Sequence, residues 1–334
     1  MTTNPAQAYT KKDYATDQLV RWCPGCGDYA ILAQVQSAMA ELGWAKEDFA
    51  VVAGIGCSSR FPYYMNTYGF HTIHGRAPAF ATGIKTTNPE LDVWLVTGDG
   101  DALSIGGNHL AHILRRNVNV NILMFNNEIY GLTKGQYSPT SPVGTRKKST
   151  PMGSVDRPFN PLGFALGCSS TFVARTLDVD AKHMAKTFAA AHAHQGTSFV
   201  EILQNCVIFN KDFYSADVDK PVRADRMIDL VPGEKMTFGK DGSKGLRITG
   251  WDVELVSAEE ADVWDPATRS AAPAHLMAQL SENPDLPTPY GIFRNIPGPV
   301  YEVEVNAQTE QAVSKKGPGK LEDLVWSGET WTIG

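Results

Sequence analysis

The sequence predicts an α/β protein built around a parallel sheet. Short apolar runs of strand length alternate with segments of helical periodicity between about residues 28 and 203, and several of the apolar runs end in glycine, aspartate or asparagine. Strands that alternate with helices at short intervals favour a parallel sheet covered on both faces. The loops at the ends of such strands bind the ligands of α/β proteins, so the polar residues there are the candidates for function.

Each predicted element rests on its apolar pattern. The first helix, over residues 28–44, has apolar side chains three and four positions apart, at Ile31, Leu32, Val35, Met39 and Leu42. Further helices are predicted over residues 76–86, 108–116, 159–167 and 180–192. Buried strands are predicted where a short apolar run is bounded by polar or turn residues, over residues 49–55, 93–96, 118–125, 171–174 and 198–203.

Composition and charge exclude several classes of protein. Of the 334 residues, 43% are hydrophobic and 20% are charged, an ordinary globular composition that excludes a disordered or fibrous protein. The net charge of -6 argues against nucleic acid as a partner. No apolar run reaches the roughly 20 residues that cross a bilayer, and the first residues lack the apolar segment of a secretory signal. We therefore expect a cytoplasmic protein without membrane contact.

Three regions differ in pattern. Residues 1–14 are polar and predict an N-terminal arm, and residues 15–215 hold the periodic segments and predict one binding domain. Residues 216–334 consist of short acidic segments interrupted by proline, which predicts a small C-terminal extension of unknown role, an appendage or a docking arm. The stretch 128–161 is long for a connection and rich in Gly, Ser, Thr and Pro, so we expect it to be functional or mobile.

Two polar motifs follow neighbouring predicted strands and indicate a diphosphate and metal site. Gly98-Asp99-Gly100 ends one strand and Asn126-Asn127 ends the next. Loops at the carboxyl ends of parallel strands face one crevice, where carboxylate and amide oxygens suit Mg²⁺. The two glycines let backbone amides approach a diphosphate. The motifs resemble the diphosphate-binding motif of thiamine diphosphate enzymes, whose cation ligands correspond to Asp99, Asn127 and the main-chain oxygen of Ile129.

Two other interpretations of these loops are less specific. An ordinary turn at a strand end and a pair of asparagines that cap a helix would leave the same residues. Gly54-Ile55-Gly56 invites a nicotinamide dinucleotide site, but Cys57-Ser58-Ser59 follows it and the third glycine of that motif is absent. We therefore favour thiamine diphosphate over both.

The five cysteines are too few for a disulfide framework in a chain of this length. Cys23 and Cys26 form a C-x-x-C pair before a helix, and Cys57 and Cys206 follow predicted strands. Four sulfurs on strand-end loops can converge on one centre, and the spacing leaves three alternatives open: a redox pair, a Cys₄ zinc site and a [4Fe–4S] cluster. Cys168, at a predicted helix end, is expected to be a core residue.

The motifs taken together resemble one family. Five segments, in order, are similar to those of the β subunit of 2-oxoacid:ferredoxin oxidoreductases: Trp22 to Gly27, Gly54 to Arg60, His74 to Ala77, Gly98 to Asp101 and Asn126 to Thr133. The resemblance covers about residues 15–215, and its first and third segments are most similar to the 2-oxoglutarate branch. It implies the parallel-sheet fold that binds the diphosphate half of thiamine diphosphate.

The resemblance also implies the site residues. One [4Fe–4S] cluster would be held by Cys23, Cys26, Cys57 and Cys206. Arg60 would meet a substrate carboxylate and His74 would contact the cofactor as catalytic residues, with a subunit ion pair and a helix cap as the alternatives. Thiamine diphosphate would be bound by Ile55, Gly56, Cys57, Ser58, His74, Gly98, Gly100, Asp101, Asn127, Gly131 and Leu132.

The reaction and the partners follow from the same resemblance. It implies oxidative decarboxylation of 2-oxoglutarate with coenzyme A to succinyl-CoA and CO₂, and the reverse, with electrons passed through the cluster to ferredoxin. The glutamate that thiamine enzymes place against the aminopyrimidine ring has no matching segment here, so we expect an α subunit to supply that half of the site in an α2β2 assembly. The alternatives are pyruvate or another 2-oxoacid, a non-oxidative thiamine diphosphate decarboxylase subunit with a structural Cys₄ zinc, and a zinc-stabilised binding module.

Overall fold

An eight-stranded sheet forms the centre of the protein. The computed structural model describes residues 9–211 and 213–334. Its strands are β1 (Phe49–Ala53), β2 (Tyr68–His71), β3 (Asp92–Gly98), β4 (Asn121–Asn126), β5 (Ile129–Tyr130), β6 (Gln136–Tyr137), β7 (Phe172–Leu177), β8 (Ser198–Leu203), β9 (Met227–Leu230), β10 (Thr237–Phe238), β11 (Lys244–Thr249), β12 (Asp252–Ser257) and β13 (Thr288–Asn295). The central sheet has the order β2-β1-β3-β4-β8-β7-β13-β9.

The central sheet is mostly parallel, which confirms the predicted fold class. All pairs from β2 to β7 in the sheet order are parallel, whereas β13 runs antiparallel to β7 and parallel to β9. The chain moves outward from β1 to β2 and then returns to place β3 on the other side of β1. Such a reversal opens a crevice at the carboxyl ends of the two strands, where α/β proteins bind their ligands.

Helices cover both faces of the sheet. They are α1 (Asp28–Leu42), α2 (Ala77–Thr87), α3 (Gly107–Arg116), α4 (Pro161–Gly167), α5 (Ala181–Ala193), α6 (Ser215–Val218), α7 (Lys220–Arg226), α8 (Ala272–Gln279), α9 (Tyr301–Lys316) and α10 (Leu321–Val325). One apolar cluster packs between the sheet and α2, α3, α4 and α8, and a second packs beneath α1 and α5. The five predicted helices and five predicted strands are all present, with ends that differ by at most three residues.

The part of the predicted N-terminal arm that the structure describes packs against the domain. Residues 1–8 of that prediction lie outside the described residues. Lys11–Tyr14 forms a turn of 3-10 helix, and Tyr14 is fully buried. The Tyr14 hydroxyl donates a hydrogen bond to the carbonyl oxygen of Trp44 at 2.7 Å. An arm is therefore the wrong description for this turn, because burial of its aromatic ring fixes it to α1 and β1.

The C-terminal region adds to the central sheet. Residues 216–334 were expected to form a small extension, yet they supply β9 and β13, and α8 packs against α4. Strand β13 lacks a clear sequence signal because Pro289 and Gly291 interrupt it and its register shifts between Ile292 and Arg294. Strands β10, β11 and β12 form a separate antiparallel sheet.

The last helices are held at one point and are otherwise exposed. Glu302, at the start of α9, is buried, and both of its carboxylate oxygens accept from the backbone N–H of Asn119 at 3.2 and 3.3 Å. From there the chain is almost entirely exposed to its end, including Trp326 and Trp331. Within the described part of the chain, no helix combines the length and apolar character that a bilayer crossing requires.

A buried ion pair joins the parallel strands to β13. Arg175 on β7 lies 2.7 Å from Glu201 on β8, and its Nη1 donates to the carbonyl oxygen of Pro289 at 3.1 Å. Both charged side chains are at most 5% exposed. Removing one partner of such a pair leaves an uncompensated buried charge, which is strongly destabilising.

We expect Arg175→Met to lower the free energy of unfolding by about 3–5 kcal/mol, measured by urea denaturation of the purified protein. The matched control is Arg247→Met, because Arg247 pairs with Glu254 on the exposed surface of β11 and β12. That control should lower the free energy of unfolding by less than about 1 kcal/mol. Equal losses for the two variants would contradict a structural role for the buried pair.

Candidate functional site

The carboxyl ends of β1, β3 and β4 surround a cavity of about 90 Å³. Asp99 and Ile129, two of the predicted magnesium ligands, line it. The eleven residues predicted to bind the cofactor also all line it: Ile55, Gly56, Cys57, Ser58, His74, Gly98, Gly100, Asp101, Asn127, Gly131 and Leu132. The fold therefore brings together loops that are separated by up to about 80 positions in the sequence.

The Asp101 carboxylate joins the loops that form this cavity. Its Oδ1 accepts from the backbone N–H of Ile55 at 3.0 Å and of Gly75 at 2.7 Å, and its Oδ2 accepts from the Thr97 hydroxyl at 2.7 Å. Nδ1 of His74 lies 2.6 Å from the same Oδ1. Asp101 lines the cavity as predicted, but its carboxylate is bound by protein donors and positions the residues around it.

Three glycines allow these loops to come close. A Cβ atom at Gly54 would lie 1.9 Å from Oδ2 of Asp101, and one at Gly100 would lie 2.2 Å from the ring of Tyr130. Gly75, with φ of +71°, is packed against the backbone of Gly106. Side chains at these positions would displace Asp101, Tyr130 or the loop backbone.

Asp99 is buried at the end of β3 and held by two hydroxyl groups. Its Oδ2 accepts from Ser138 at 2.5 Å and from Thr140 at 2.7 Å. Burial raises the pKa of Asp99 to about 6, and the two hydroxyls oppose that rise. Both donors come from the stretch 128–161, so part of that long connection forms a wall of the site. The backbone N–H groups of Gly100 and of Asp99 itself also oppose the rise in pKa, and no hydroxyl or amide side chain in the described ranges binds Oδ1.

Asn127 presents a second oxygen to the cavity. Its Oδ1 accepts from the backbone N–H of Ile129 at 3.2 Å, and its Nδ2 donates to Oε1 of Gln204 at 2.7 Å. Together, Asp99, Asn127 and Ile129 offer carboxylate, amide and main-chain oxygens, the hard donors that Mg²⁺ prefers. Among residues 9–211 and 213–334, no three or more His, Cys, Asp or Glu side chains are grouped so that they could hold a metal ion.

Ser58 supplies an unsatisfied donor beside the glycine-rich loop. Its hydroxyl is buried and has no hydrogen-bond partner among the described residues. It lies 3.5 Å from the position of a Cβ on Gly98 and lines the same cavity. A buried hydroxyl without a partner is costly, so this group fits an acceptor oxygen from a bound ligand, such as one of a diphosphate.

Four of the cysteines surround the neighbouring loops. A turn in which Cys26 N–H donates to Cys23 O at 3.0 Å brings that pair together. A Cβ at Gly131 would lie 3.5 Å from Sγ of Cys57 and 3.6 Å from Sγ of Cys206. Burial raises the pKa of the Cys57 thiol to about 12 and raises the pKa of Cys26 as well. All are free thiols, while Cys168 packs apart from them against the core.

The two predicted catalytic residues differ in position. The His74 ring lines the cavity, and its contact with Asp101 leaves Nε2 as the ring nitrogen without that partner. Arg60 lies in the 3-10 helix Ser58–Tyr64 next to the cavity but is not part of its lining. No carboxylate of the described residues lies within ion-pair distance of Arg60, so a substrate carboxylate and an ion pair at a subunit contact both stay predictions for this side chain.

Several residues of the site have no motif that could identify them. Ser138 and Thr140 bind Asp99, Gln204 binds Asn127, and none of these residue types is distinctive in a sequence. Asp28, the first residue of α1, is buried and lines the cavity, and burial raises its pKa to about 7. For Ser138 and Thr140, the one signal in the sequence was that residues 138–141 are mostly polar and lie within the long connection 128–161.

The fold is that of a thiamine-dependent enzyme domain. Residues 54–202 match the family described as "Thiamine pyrophosphate enzyme, C-terminal TPP binding domain". The chain is 49% identical over 329 residues to the 2-oxoglutarate oxidoreductase subunit KorB of Mycobacterium tuberculosis, covering 96% of this chain and 88% of the relative. The chain belongs to the family of 2-oxoacid:ferredoxin oxidoreductase β subunits, which confirms the resemblance seen in the sequence.

Two further comparisons agree with this assignment. The chain is 36% identical over 301 residues to the 2-oxoacid:ferredoxin oxidoreductase 2 subunit beta of Aeropyrum pernix, covering 85% of this chain and 96% of the relative. A solved structure of the 2-oxoglutarate:ferredoxin oxidoreductase from Magnetococcus marinus, with 2-oxoglutarate, coenzyme A and succinyl-CoA bound, is similar with a TM-score of 0.76. That similarity has 33% identity and covers 98% of this chain and 99% of the other.

We expect Gly54→Ala to lower the free energy of unfolding by about 1–3 kcal/mol, because the added methyl group collides with the Asp101 carboxylate. The matched control is Gly83→Ala within α2, where a Cβ meets nothing within 4 Å. That control should raise the free energy of unfolding by about 0.4–1 kcal/mol. Urea denaturation measures both, and a neutral Gly54→Ala would show that Asp101 is not tightly placed.

Proposed function

We propose that this chain, with an α subunit, catalyses oxidative decarboxylation of 2-oxoglutarate with coenzyme A to succinyl-CoA and CO₂, and the reverse reaction. The two electrons released are passed through a [4Fe–4S] cluster to ferredoxin. One observation carries the proposal: Cys57 belongs both to the lining of the cofactor cavity and to the group of four cysteines. Under this proposal, a single loop would hold both the site of decarboxylation and the electron acceptor.

Thiamine diphosphate and Mg²⁺ fit the cavity that the loops form. The unsatisfied hydroxyl of Ser58 suits a diphosphate oxygen. Asp99 Oδ1, Asn127 Oδ1 and the carbonyl oxygen of Ile129 suit the cation. When bound, thiamine diphosphate supplies an electron sink for the bond broken as CO₂ leaves. Nδ1 of His74 lies 2.6 Å from Oδ1 of Asp101, and we propose that Nε2 faces the cofactor or substrate.

The thiols of Cys23, Cys26, Cys57 and Cys206 match a [4Fe–4S] cluster in number. A turn brings Cys23 and Cys26 together, and the Sγ atoms of Cys57 and Cys206 lie 3.5 and 3.6 Å from the position of a Cβ on Gly131. A residue larger than glycine at position 131 would place its Cβ in contact with both sulfurs. Burial and the nearby Asp28 carboxyl raise the pKa of the Cys57 thiol, while Arg60 opposes that rise; a bound metal centre would lower it further. A structural zinc site is the alternative occupant of the same thiols.

The cavity is one half of an active site, and an α subunit would supply the other. Around its opening, apolar side chains are exposed: Leu132 is 47%, Ile105 57% and Ile73 67% accessible. Exposed apolar groups beside a site are typical of a surface that a partner covers. The carboxylate that activates the aminopyrimidine ring would come from that partner, in an assembly for which we propose α2β2 stoichiometry.

The substrate proposal rests on Arg60 and on the relatives. Two relatives, from Mycobacterium tuberculosis and Archaeoglobus fulgidus, are named for 2-oxoglutarate. Arg60 has no carboxylate partner in the described chain and follows the cavity loop directly. Its guanidinium can bind a carboxylate in two parallel hydrogen bonds, and 2-oxoglutarate carries a second carboxylate that pyruvate lacks. Pyruvate or another 2-oxoacid is the alternative.

The metal content tests the proposal. We expect the protein, co-purified with its α subunit without oxygen, to contain about four iron atoms and four sulfides per chain, with an EPR signal after reduction. Reduction of ferredoxin by 2-oxoglutarate and coenzyme A should require both subunits. Zinc without sulfide would contradict the electron-transfer function, and turnover by this chain alone would contradict the divided site.

We expect Arg60→Leu to lower kcat/KM for 2-oxoglutarate by about 10- to 100-fold, the effect of losing hydrogen bonds to a charged group. The value for pyruvate should change much less, so pyruvate serves as the internal control. Steady-state kinetics with both substrates measure this difference. A proportional loss for the two substrates would show that Arg60 does not contact the second carboxylate.

A further inference from the structure

A buried glutamine lies between the cation side of the cavity and the cysteines. Gln204 follows β8 and is 1% exposed. Its Oε1 accepts from Nδ2 of Asn127 at 2.7 Å, and its Nε2 lies 3.3 Å from Sγ of Cys26. The same Nε2 donates to the carbonyl oxygen of Asn205 at 2.6 Å. One amide group thus contacts a predicted magnesium ligand and a predicted cluster ligand at once.

The directions of these hydrogen bonds are fixed by the backbone. The carbonyl of Asn205 only accepts, so the nitrogen of the Gln204 amide faces it and the oxygen faces Asn127. Asn127 must then turn its nitrogen toward Gln204 and its Oδ1 toward the cavity. The N–H of Ile129, which only donates, meets that Oδ1 from the other side. Reversing either amide would place a donor against a donor in one of its contacts and an acceptor against an acceptor in the other.

We propose that Gln204 is a positioning residue for both centres: it orients the Asn127 oxygen toward the cation, and it donates a hydrogen bond to the Cys26 sulfur of the cluster. This inference rests on the proposed function. It deepens that function, because it names one side chain that contacts both the cofactor site and the cluster. That side chain is itself held by the carbonyl oxygen of Asn205.

Each contact has a measurable consequence. A hydrogen bond to a cluster sulfur stabilises the more negative, reduced state, so its loss makes the reduction potential more negative. Release of Asn127 removes a restraint on one cation ligand. We expect this to weaken Mg²⁺-dependent binding of thiamine diphosphate about five-fold, as for the loss of one ordinary hydrogen bond.

Two substitutions separate these consequences. Gln204→Met keeps the length of the side chain and removes both polar contacts, so both the potential and the cofactor affinity should fall. Gln204→Glu keeps an oxygen for Nδ2 of Asn127 but puts a carboxylate oxygen against both Sγ of Cys26 and the carbonyl oxygen of Asn205. It should lower the potential while the cofactor affinity stays within about two-fold of wild type. If Gln204→Met does not fold, Gln204→Glu still tests the hydrogen bond to Cys26 through the reduction potential.

The measurements use the complete complex with its α subunit: an EPR-monitored redox titration of the cluster and calorimetric titration with thiamine diphosphate and Mg²⁺. The matched control is Gln36→Met on α1, which removes a buried amide that donates to Tyr64 O at 3.2 Å, away from both centres. That control should leave both readouts at their wild-type values.

The possible outcomes are distinct. A wild-type complex without iron and sulfide overturns the proposed function and this inference with it. A wild-type complex with its cluster, and a Gln204→Met variant with unchanged potential and unchanged affinity, overturns the inference alone. If Gln204→Met changes only the reduction potential or only the cofactor affinity, the proposal that Gln204 positions both centres is overturned. A lower potential in both Gln204 variants with weaker cofactor binding only in Gln204→Met supports it.

Discussion

The hydrogen bonds to the Asp101 carboxylate are the interaction on which the rest of the site depends. This carboxylate is 3% exposed, and burial of such a charge is favourable only when donors satisfy it. The donors come from loops that follow β1 and β2 and from β3 itself, through Ile55, Gly75 and Thr97. Without this shared acceptor, three loops at the carboxyl edge of the sheet would have no common point of attachment.

The order of strands explains why this attachment lies where it does. After β1 the chain adds β2 at the edge of the sheet and returns to place β3 on the other side of β1, so the loops after β1 and β3 diverge around an opening. Asp99, Asp101 and Asn127 all line the cavity there. The stretch 128–161 then crosses over the edge and contributes the Ser138 and Thr140 hydroxyls to Asp99.

The sequence predicted those parts of the structure whose pattern is local. Buried strands such as β3, β4 and β8 are apolar on both faces, and the loops after them carry a motif with known spacing. The sequence did not predict β2, whose side chains are all exposed, or β9, which is only four residues long. It did not predict β13 because Pro289, Gly291 and a register shift interrupt that strand. Their place in the sheet depends on long-range pairing.

The same distinction holds for the site. Residues in the motifs could be predicted one by one, because their types suit a diphosphate, a cation or a thiolate centre. Ser138, Thr140 and Gln204 act by holding those residues, through single hydrogen bonds between parts of the chain about 40 to 80 positions apart. The polar character of residues 138–141 does not say which side chain they bind, and Gln204 has no local signal, so only the folded chain shows these contacts.

The contact between Gly54 and Asp101 also restricts how this sequence can change over evolution. The space for a methyl group at position 54 is filled by the carboxylate of a residue 47 positions later. A residue larger than glycine fits at position 54 only if a smaller side chain has replaced Asp101. That smaller side chain would lose the hydrogen bonds by which Asp101 joins the loops. Each single step passes through a less stable protein, so the two positions are free to diverge only as a pair.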